Sequence, residues 1–247
     1  MVMAIELEAL ESQIARSEST AVLQGETWVL DLKQQLPDDE GRLMLHHAAE
    51  HSSSEAVLQA VYEANPAAAA VLDKSSRLPL VIGLEHKTPC TDEQALILID
   101  SAAAEVVDGK GSHLLHHVAR HGRSVAVLSK AFESSRAAAG VLDEHGCLPM
   151  TTLLNSKCDD DQALVAITES AAAVADADGQ LLLHHAVRHG RSLVVVKAVL
   201  AADVKAAAAL DKSSRLPLVI GLAREPVCTD EESIALVTAS AAAVKDN

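Results

Sequence analysis

The chain has 247 residues, a formal charge of −15 at pH 7 and 49% hydrophobic residues, with only Trp28, Tyr62 and Phe132 aromatic. So acidic a balance excludes general nucleic-acid binding, which needs a basic footprint. The apolar content is Ala, Val and Leu, which suits helices packed through small faces rather than a β-sandwich with a bulky core. Asp, Lys or Arg interrupts every apolar run before it reaches the ~18–20 residues that span a bilayer, so no membrane insertion is expected.

Residues 1–37 stand apart from the rest. Ile5, Leu7, Leu10 and Ile14 are spaced as one face of an amphipathic helix. A second helix is predicted over residues 21–36, stopping at Pro37, whose ring disfavours helix in the residue before it. Together they predict an N-terminal helical cap whose polar outer face shields the remainder of the chain. The opening residues lack the basic and apolar regions of a secretory signal and are too acidic for a transit peptide. An intracellular, cytoplasmic location is therefore expected, or an organelle if a presequence was removed.

From residue 38 the chain repeats itself. Leu-Leu-Leu-His-His-Ala-Val-Arg-His-Gly-Arg-Ser at residues 181–192 recurs almost verbatim at 113–124 and in worn form at 43–54. A divergent second type lies midway: Leu-Pro-Leu-Val-Ile-Gly-Leu at 78–84 and 216–222, and Leu-Pro-Met-Thr-Thr-Leu-Leu at 148–154. These phrases start at 43, 78, 113, 148, 181 and 216, a period of 35 with one step of 33 where the fourth unit lacks the Thr88-Pro89 pair. Five residues before each start stands an aspartate (Asp38, Asp73, Asp108, Asp143, Asp176, Asp211), and two before it a Gly or Ser. Asp bonds its own backbone and Gly accepts positive φ, so each pair predicts a turn. After the turn comes a short helix, with Pro79, Pro149 and Pro217 at the tolerated first position. A loop and a longer second helix complete the unit. Capping-box spacing at Thr91–Gln94, Thr229–Glu232 and Asp159–Gln162 marks three of the second-helix starts. The Ala-rich runs 67–70, 137–139 and 206–209 let neighbouring units approach closely.

A turn, a short helix, a loop and a second helix at this period resemble the ankyrin repeat. The family's Thr-Pro-Leu-His-x-Ala signature matches His113-Leu114-Leu115-His116-His117-Val118, and as Leu-Pro-Leu it matches 78–80 and 216–218. Its next phrase, Ala-Arg-x-Gly, matches Ala119-Arg120-His121-Gly122 and, loosely, 187–190. The resemblance covers residues 38–247. The opening Thr is nowhere present, and most units run two residues long. It implies an all-α fold, an ankyrin-like α-solenoid of six helix-turn-helix repeats starting near 38, 73, 108, 143, 176 and 211, behind the N-terminal helical cap. A HEAT- or armadillo-like solenoid is the alternative, with longer units of roughly 40–47 residues.

Three patterns are candidates for chemistry. The pairs His47/His51, His117/His121 and His185/His189 have the i, i+4 spacing by which two imidazoles share a metal. No Cys or acidic motif completes a set, and alternate repeats lie roughly 16–20 Å apart, so no metal or cofactor is assigned. The first histidines (His46, His116, His184) hold the family's signature position, where the resemblance implies an internal structural hydrogen bond. Cys90, Cys158 and Cys228 copy one repeat position and lie too far apart for a disulfide, which needs Cα atoms within about 7 Å. Cys147 has no partner on the grid. Free thiols fit a reducing compartment. No phosphate loop, nucleotide fingerprint or nucleophile elbow occurs, so no catalytic residue is assigned and no enzyme is expected.

The third pattern runs down the repeats. The ninth position from each start reads His51, His86, His121, Ser156, His189 and Arg224, and its neighbours add Lys87, Arg120, Arg123, Arg188 and Arg191. At the ends of first helices these residues predict a basic strip for a protein partner with an acidic surface, with binding that tightens as pH falls toward the histidine range near 6.5. The plainer reading is that cations finish helices well, at ~0.3–1 kcal/mol each. At the other end, repeat six keeps the apolar residues of an interior unit, Leu218–Leu222 and Ile234–Val237. An uncovered last repeat predicts a second association site. The function expected is a non-catalytic scaffold or adaptor, or a structural subunit of a larger complex. A metal- or small-ligand-binding module built on the histidine pairs is the alternative.

Overall fold

The structure is a computed structural model that describes residues 37–51, 54–156, 158–167 and 169–245, so the expected cap lies outside the described residues except for Pro37. Among the described residues there are fourteen α-helices, three short 3₁₀ helices and no strand. None of these helices is long and apolar enough to cross a membrane. The chain forms two compact units, one up to Gly109 and one from Lys110 onward.

The first unit holds two repeats. The first comprises α1 (Met44–Glu50), α2 (Glu55–Ala64) and a 3₁₀ helix at Pro66–Ala70, and the second comprises α3 (Pro79–Glu85), α4 (Asp92–Leu98) and α5 (Ser101–Glu105). The second unit holds four. Repeat three is α6 (Leu114–Arg120), α7 (Val125–Ser134) and a 3₁₀ helix at Ala137–Gly140; repeat four is α8 (Pro149–Asn155), α9 (Asp160–Ala166) and α10 (Glu169–Ala173). Repeat five is α11 (Leu182–Arg188), α12 (Leu193–Ala202) and a 3₁₀ helix at Val204–Ala208; repeat six is α13 (Pro217–Ala223) and α14 (Asp230–Lys245). Within each unit, first helix packs on first helix and second on second: α1 on α3 and α2 on α4, then α6 on α8, α8 on α11 and α11 on α13 in turn.

The six starts fall where the grid places them because the helices are closed locally. Pro79, Pro149 and Pro217 each stand at the first helical position, where the missing N–H is lost to no bond. The three capping boxes form as spaced: Thr91 Oγ1 accepts the Gln94 N–H at 3.3 Å while Gln94 Oε1 accepts the Thr91 N–H at 2.8 Å. The Asp159–Gln162 and Thr229–Glu232 pairs bond in the same reciprocal way. Two elements differ from expectation, since α9 of repeat four has seven residues, as α8 does, and ends at an extended Ile167. The second helix of repeat two is no longer than the first, because Ile99 is extended and Asp100 opens a new helix, its Oδ1 accepting the Ala103 N–H at 2.7 Å. Tyr62 holds the other carboxylate oxygen at 3.1 Å. In repeat six α14 runs through 16 residues unbroken.

The core is aliphatic: Leu45, Leu58, Leu80, Leu84 and Leu98 in the first unit, and Leu115, Leu128, Leu148, Met150 and Leu153 in the second, all fully buried. Each contributes about 1.5–3 kcal/mol by leaving water. The alanines of the 3₁₀ runs, Ala68, Ala69, Ala138, Ala139, Ala206 and Ala207, are buried too, so small side chains do set the close approach of neighbouring elements.

The turns link one repeat to the next through backbone bonds. Lys74 N–H donates to Glu40 O at 2.8 Å, Glu144 N–H to Lys110 O at 2.8 Å and Lys212 N–H to Asp178 O at 3.0 Å. Each described turn needs one residue at positive φ, and Gly146 (φ 70°) supplies it where Ser214 (φ 58°) does not do so freely. A Cβ on Gly146 would stand 2.5 Å from Ala177 Cβ and 3.2 Å from Ala177 N. Gly146→Ala is therefore expected to lose about 1–2 kcal/mol to left-handed strain alone, and more through the clash. Ser214→Gly moves the other way. It relieves that strain but adds about 0.5–1 kcal/mol of unfolded-chain freedom, for a net gain of about 0.5–1 kcal/mol. Urea midpoints of the two variants check the opposite signs.

Candidate functional site

The recurring phrase divides into three working parts. The first histidine is a buried strut. His46 Nδ1 accepts the Leu43 N–H at 3.0 Å, and its Nε2 donates to Val71 O at 3.0 Å, 25 residues on. His116 takes the His113 N–H at 3.1 Å and donates to Val141 O at 3.1 Å and Cys147 O at 3.3 Å. His184 takes the Leu181 N–H at 3.1 Å and donates toward Arg215 O at 3.3 Å. An N–H on one side and a carbonyl on the other fix the neutral tautomer with the proton on Nε2. All three rings are fully buried. Burial above all pushes their pKa values below the usual histidine value, and neighbouring carboxylates and carbonyls only partly offset it.

The second histidine belongs to the turn. His47 Nε2 donates to Asp38 Oδ2 at 3.0 Å and His185 Nε2 to Asp176 Oδ2 at 2.7 Å. In repeats two and six an arginine takes this place: Arg77 and Arg215 clasp Asp73 and Asp211, at 2.9 and 2.8 Å from Nη2. Each of these aspartates also accepts two backbone N–H groups on Oδ1, as Asp38 does from Glu40 at 2.9 Å and Arg42 at 2.8 Å. Burial works against the Asp211 carboxylate, but the Arg215 and Ser213 N–H groups, the Arg215 guanidinium and the Gln180 amide hold its pKa down to about 2.

The tail, Arg-His-Gly-Arg, is a helix stop. In repeat five Gly190 (φ 63°) takes the left-handed conformation. Its N–H donates to Val187 O at 3.2 Å, and the Arg191 N–H reaches back to Ala186 O at 3.0 Å, the pair of bonds of a Schellman motif. The stop turns Arg191 onto the preceding repeat. Its guanidinium donates to Cys158 O at 2.7 Å, Ser156 O at 2.6 Å and Leu154 O, the carbonyls left open at the end of α8. Arg224 does likewise from repeat six, donating to Val187 O at 2.8 Å and to Glu232 Oε2 at 2.8 Å.

The basic strip is thus divided in use. In the first unit His51 and Lys87 are exposed, and His86 is half-buried with Nδ1 at 3.0 Å from Thr88 Oγ1. In the second unit Arg120, His121 and His189 are exposed and Arg188 half-exposed, on the ends of α6 and α11. Arg120 Nη2 lies 3.7 Å from Asp143 Oδ2. Arg123 is half-buried, and its carbonyl accepts the Gln162 side-chain amide at 2.8 Å. Arg191 and Arg224 face inward on backbone carbonyls, which repeat spacing alone did not distinguish from Arg120 and Arg188. His189 stacks on His185 with centroids 6.4 Å apart, and burial first, then His185, Arg188 and Arg191, lower its pKa.

The histidine pairs also divide. Arg120 and Arg188 fill the position between the histidines of repeats three and five, but Glu50 fills it in repeat one and stands beside His47 and His51. The expectation that no acidic residue accompanies a pair is corrected there, and the signal was present as His47-Ala-Ala-Glu50-His51. None of the four cysteines is in a disulfide. Burial first, then the Asp143 and Asp176 carboxylates, raises the Cys147 pKa, and burial raises that of Cys158, the opposite of what a nucleophilic thiol requires.

No protein-family model matches the sequence, and no curated protein matches it. Among solved structures the chain is similar to the ankyrin repeat domain of Bcl-3, described as a unique member of the IkappaB protein family. The two share 13% identity, and the match covers 81% of this chain and 100% of that one with a TM-score of 0.53. The fold is the ankyrin-repeat fold. Its signature threonine is replaced at the helix start by Leu43, His113 or Leu181, none of which caps with its side chain. The third-position imidazole closes the first turn instead, so the fold survives the loss of the family's opening residue.

The struts and the helix stop can each be tested by stability. The unfolded chain takes up protons at the ordinary histidine value near 6.5, whereas His46, His116 and His184 take them up only at lower pH. Their contribution to stability is complete above pH 6.5 and is lost as pH falls from there through the depressed folded values. Urea unfolding free energy should decline between pH 6.5 and 5, less steeply in His184→Gln. Arg191→Ala removes a cation from three carbonyls and should cost about 2 kcal/mol or more. Arg188→Ala should stay within about 0.5 kcal/mol.

Proposed function

We propose that the chain is a non-catalytic protein-interaction scaffold that docks a helical partner on its last repeat and steers an acidic surface to its first-helix ends. The observation that carries this reading is the apolar face of repeat six. Val219 is 48% exposed, Leu222 53%, Ile234 65% and Val237 53%. In repeat four the residues matching Val219 and Leu222 are Thr151 and Leu154, buried to 1% and 0% because α11 of repeat five packs on α8. Repeat six therefore presents the face that an interior repeat covers with the next helix pair. Its natural complement is a helical surface of small and branched apolar residues on another protein. Apolar patches of this kind mark interaction sites on soluble proteins, and protein binding is the general use of ankyrin arrays.

Arg120, exposed, and Arg188, half-exposed, support the second half of the reading. They project from a chain of charge −15, so an acidic partner is attracted locally and repelled elsewhere, which fixes orientation more than it adds affinity. His189 joins them only below the ordinary histidine range, because its pKa is lowered.

Crosslinking mass spectrometry on native material tests both halves. Intermolecular crosslinks are expected around residues 210–245 and, with an acidic partner, near Arg120 and Arg188. Leu222→Asp with Val237→Asp should abolish the first set without lowering the thermal midpoint. Arg120→Glu with Arg188→Glu should weaken the second by an order of magnitude or more at low salt. Crosslinks joining two copies of residues 210–245 would replace the partner by a second copy. Crosslinks indifferent to both double variants would overturn the proposal.

A further inference from the structure

We infer that the end of the first helix of repeat one is a binding site for a divalent transition metal of the zinc class, held by His47 Nδ1, the Glu50 carboxylate and His51. These groups each offer a ligand atom, and the atoms lie within 4.8 Å of one another. Tetrahedral zinc with bonds near 2.0–2.1 Å holds its ligands about 3.3 Å apart. The closing movement of about 1.5 Å falls on His51, which is exposed, and Glu50, which is half-buried. The orientation of His47 is already set. Its Nε2 donates to Asp38 Oδ2 at 3.0 Å, so its Nδ1 carries the lone pair, with Glu50 Oε2 4.0 Å away. A carboxylate behind a metal-binding imidazole is the usual second partner of such ligands, fixing the tautomer and raising basicity.

The local charge has the matching sign. Asp38, Glu40 and Glu50 all pair with the single guanidinium of Arg42, at 3.2, 3.3 and 2.9 Å. That arrangement leaves two negative charges beside two imidazoles. Arg42 engages Glu50 through Oε2, which leaves Oε1 for an ion. In repeat five the same framework exists without the third ligand. His185 Nε2 is held by Asp176 at 2.7 Å, its buried Nδ1 has no hydrogen-bond partner, His189 stacks alongside, and Arg188 stands where Glu50 stands. A cation in the ligand position excludes a metal there, so the site is particular to repeat one. Water completes the coordination shell, since three protein ligands leave one position open.

Calorimetric titration of the full, reduced chain with zinc chloride at pH 7.5 tests the assignment. One zinc per chain is expected. His51→Ala and Glu50→Gln, both at accessible positions, should each weaken binding by on the order of tenfold or more. Cys147→Ser should leave it unchanged, because Cys147 is the cysteine that is not buried. Arg188→Glu builds the missing ligand into repeat five and should raise the stoichiometry to about two. Cobalt substituted for zinc should give the visible absorption of a tetrahedral nitrogen and oxygen site. Four results overturn the site: no binding at millimolar zinc, affinity unchanged in His51→Ala or Glu50→Gln, loss of binding in Cys147→Ser, or a stoichiometry that stays at one in Arg188→Glu.

Discussion

The turn aspartate is the interaction on which the rest depends. One of its carboxylate oxygens accepts two backbone N–H groups and closes the turn, as Asp176 does from Asp178 and Gln180, each at 2.8 Å. The other oxygen receives an imidazole from the short helix or an arginine four residues on. One side chain thereby fixes the turn, the entry angle of the next helix, and the carbonyl that the next turn will bond. Buried or half-buried charge of this kind is tolerated because both carboxylate oxygens find donors.

Polar groups inside the stack serve the same end. The buried first histidines span about 25 to 31 residues, from the start of one short helix to the beginning of the next turn. Arg191 and Arg224 span 33 to 37, from one repeat back to the open carbonyls of the repeat before. Apolar contacts between alanine-rich faces are non-directional and would permit sliding. These directed bonds set the register. They also explain why an acidic chain keeps arginine at the helix stop: a guanidinium offers several fixed donors to carbonyls at the helix ends.

The surface left over has two features. Cations not consumed in register-setting lie at the ends of α6 and α11, and the uncovered apolar face lies at repeat six. Both exist because a repeat array repeats its chemistry whether or not a neighbour is present to absorb it. Glu50 shows the converse. Where two repeats carry arginine, one carries glutamate, and a helix end otherwise made of structural residues becomes a cluster with the geometry of a metal site.

Much of this was written locally. The period, the turns at Asp143–Gly146 and its copies, the proline helix starts and the three capping boxes all rest on bonds between residues two to five apart, so spacing along the chain determines them. The resemblance also placed the first histidines correctly as internal struts. Three features were decided only in three dimensions. Arg188 and Arg191 look equivalent in the phrase, but Arg188 ends its helix half-exposed, while the left-handed Gly190 turns Arg191 onto repeat four. Val219 and Thr151 share a position, but one is exposed and the other buried because only α8 has a following repeat packed on it. The break at Ile99–Asp100 came from a cap that competes with helix continuation and that Tyr62 reinforces from another repeat. Sequence by itself determined what each repeat is. Tertiary structure decided what each repeat leaves uncovered, because exposure depends on the neighbour rather than on the residue.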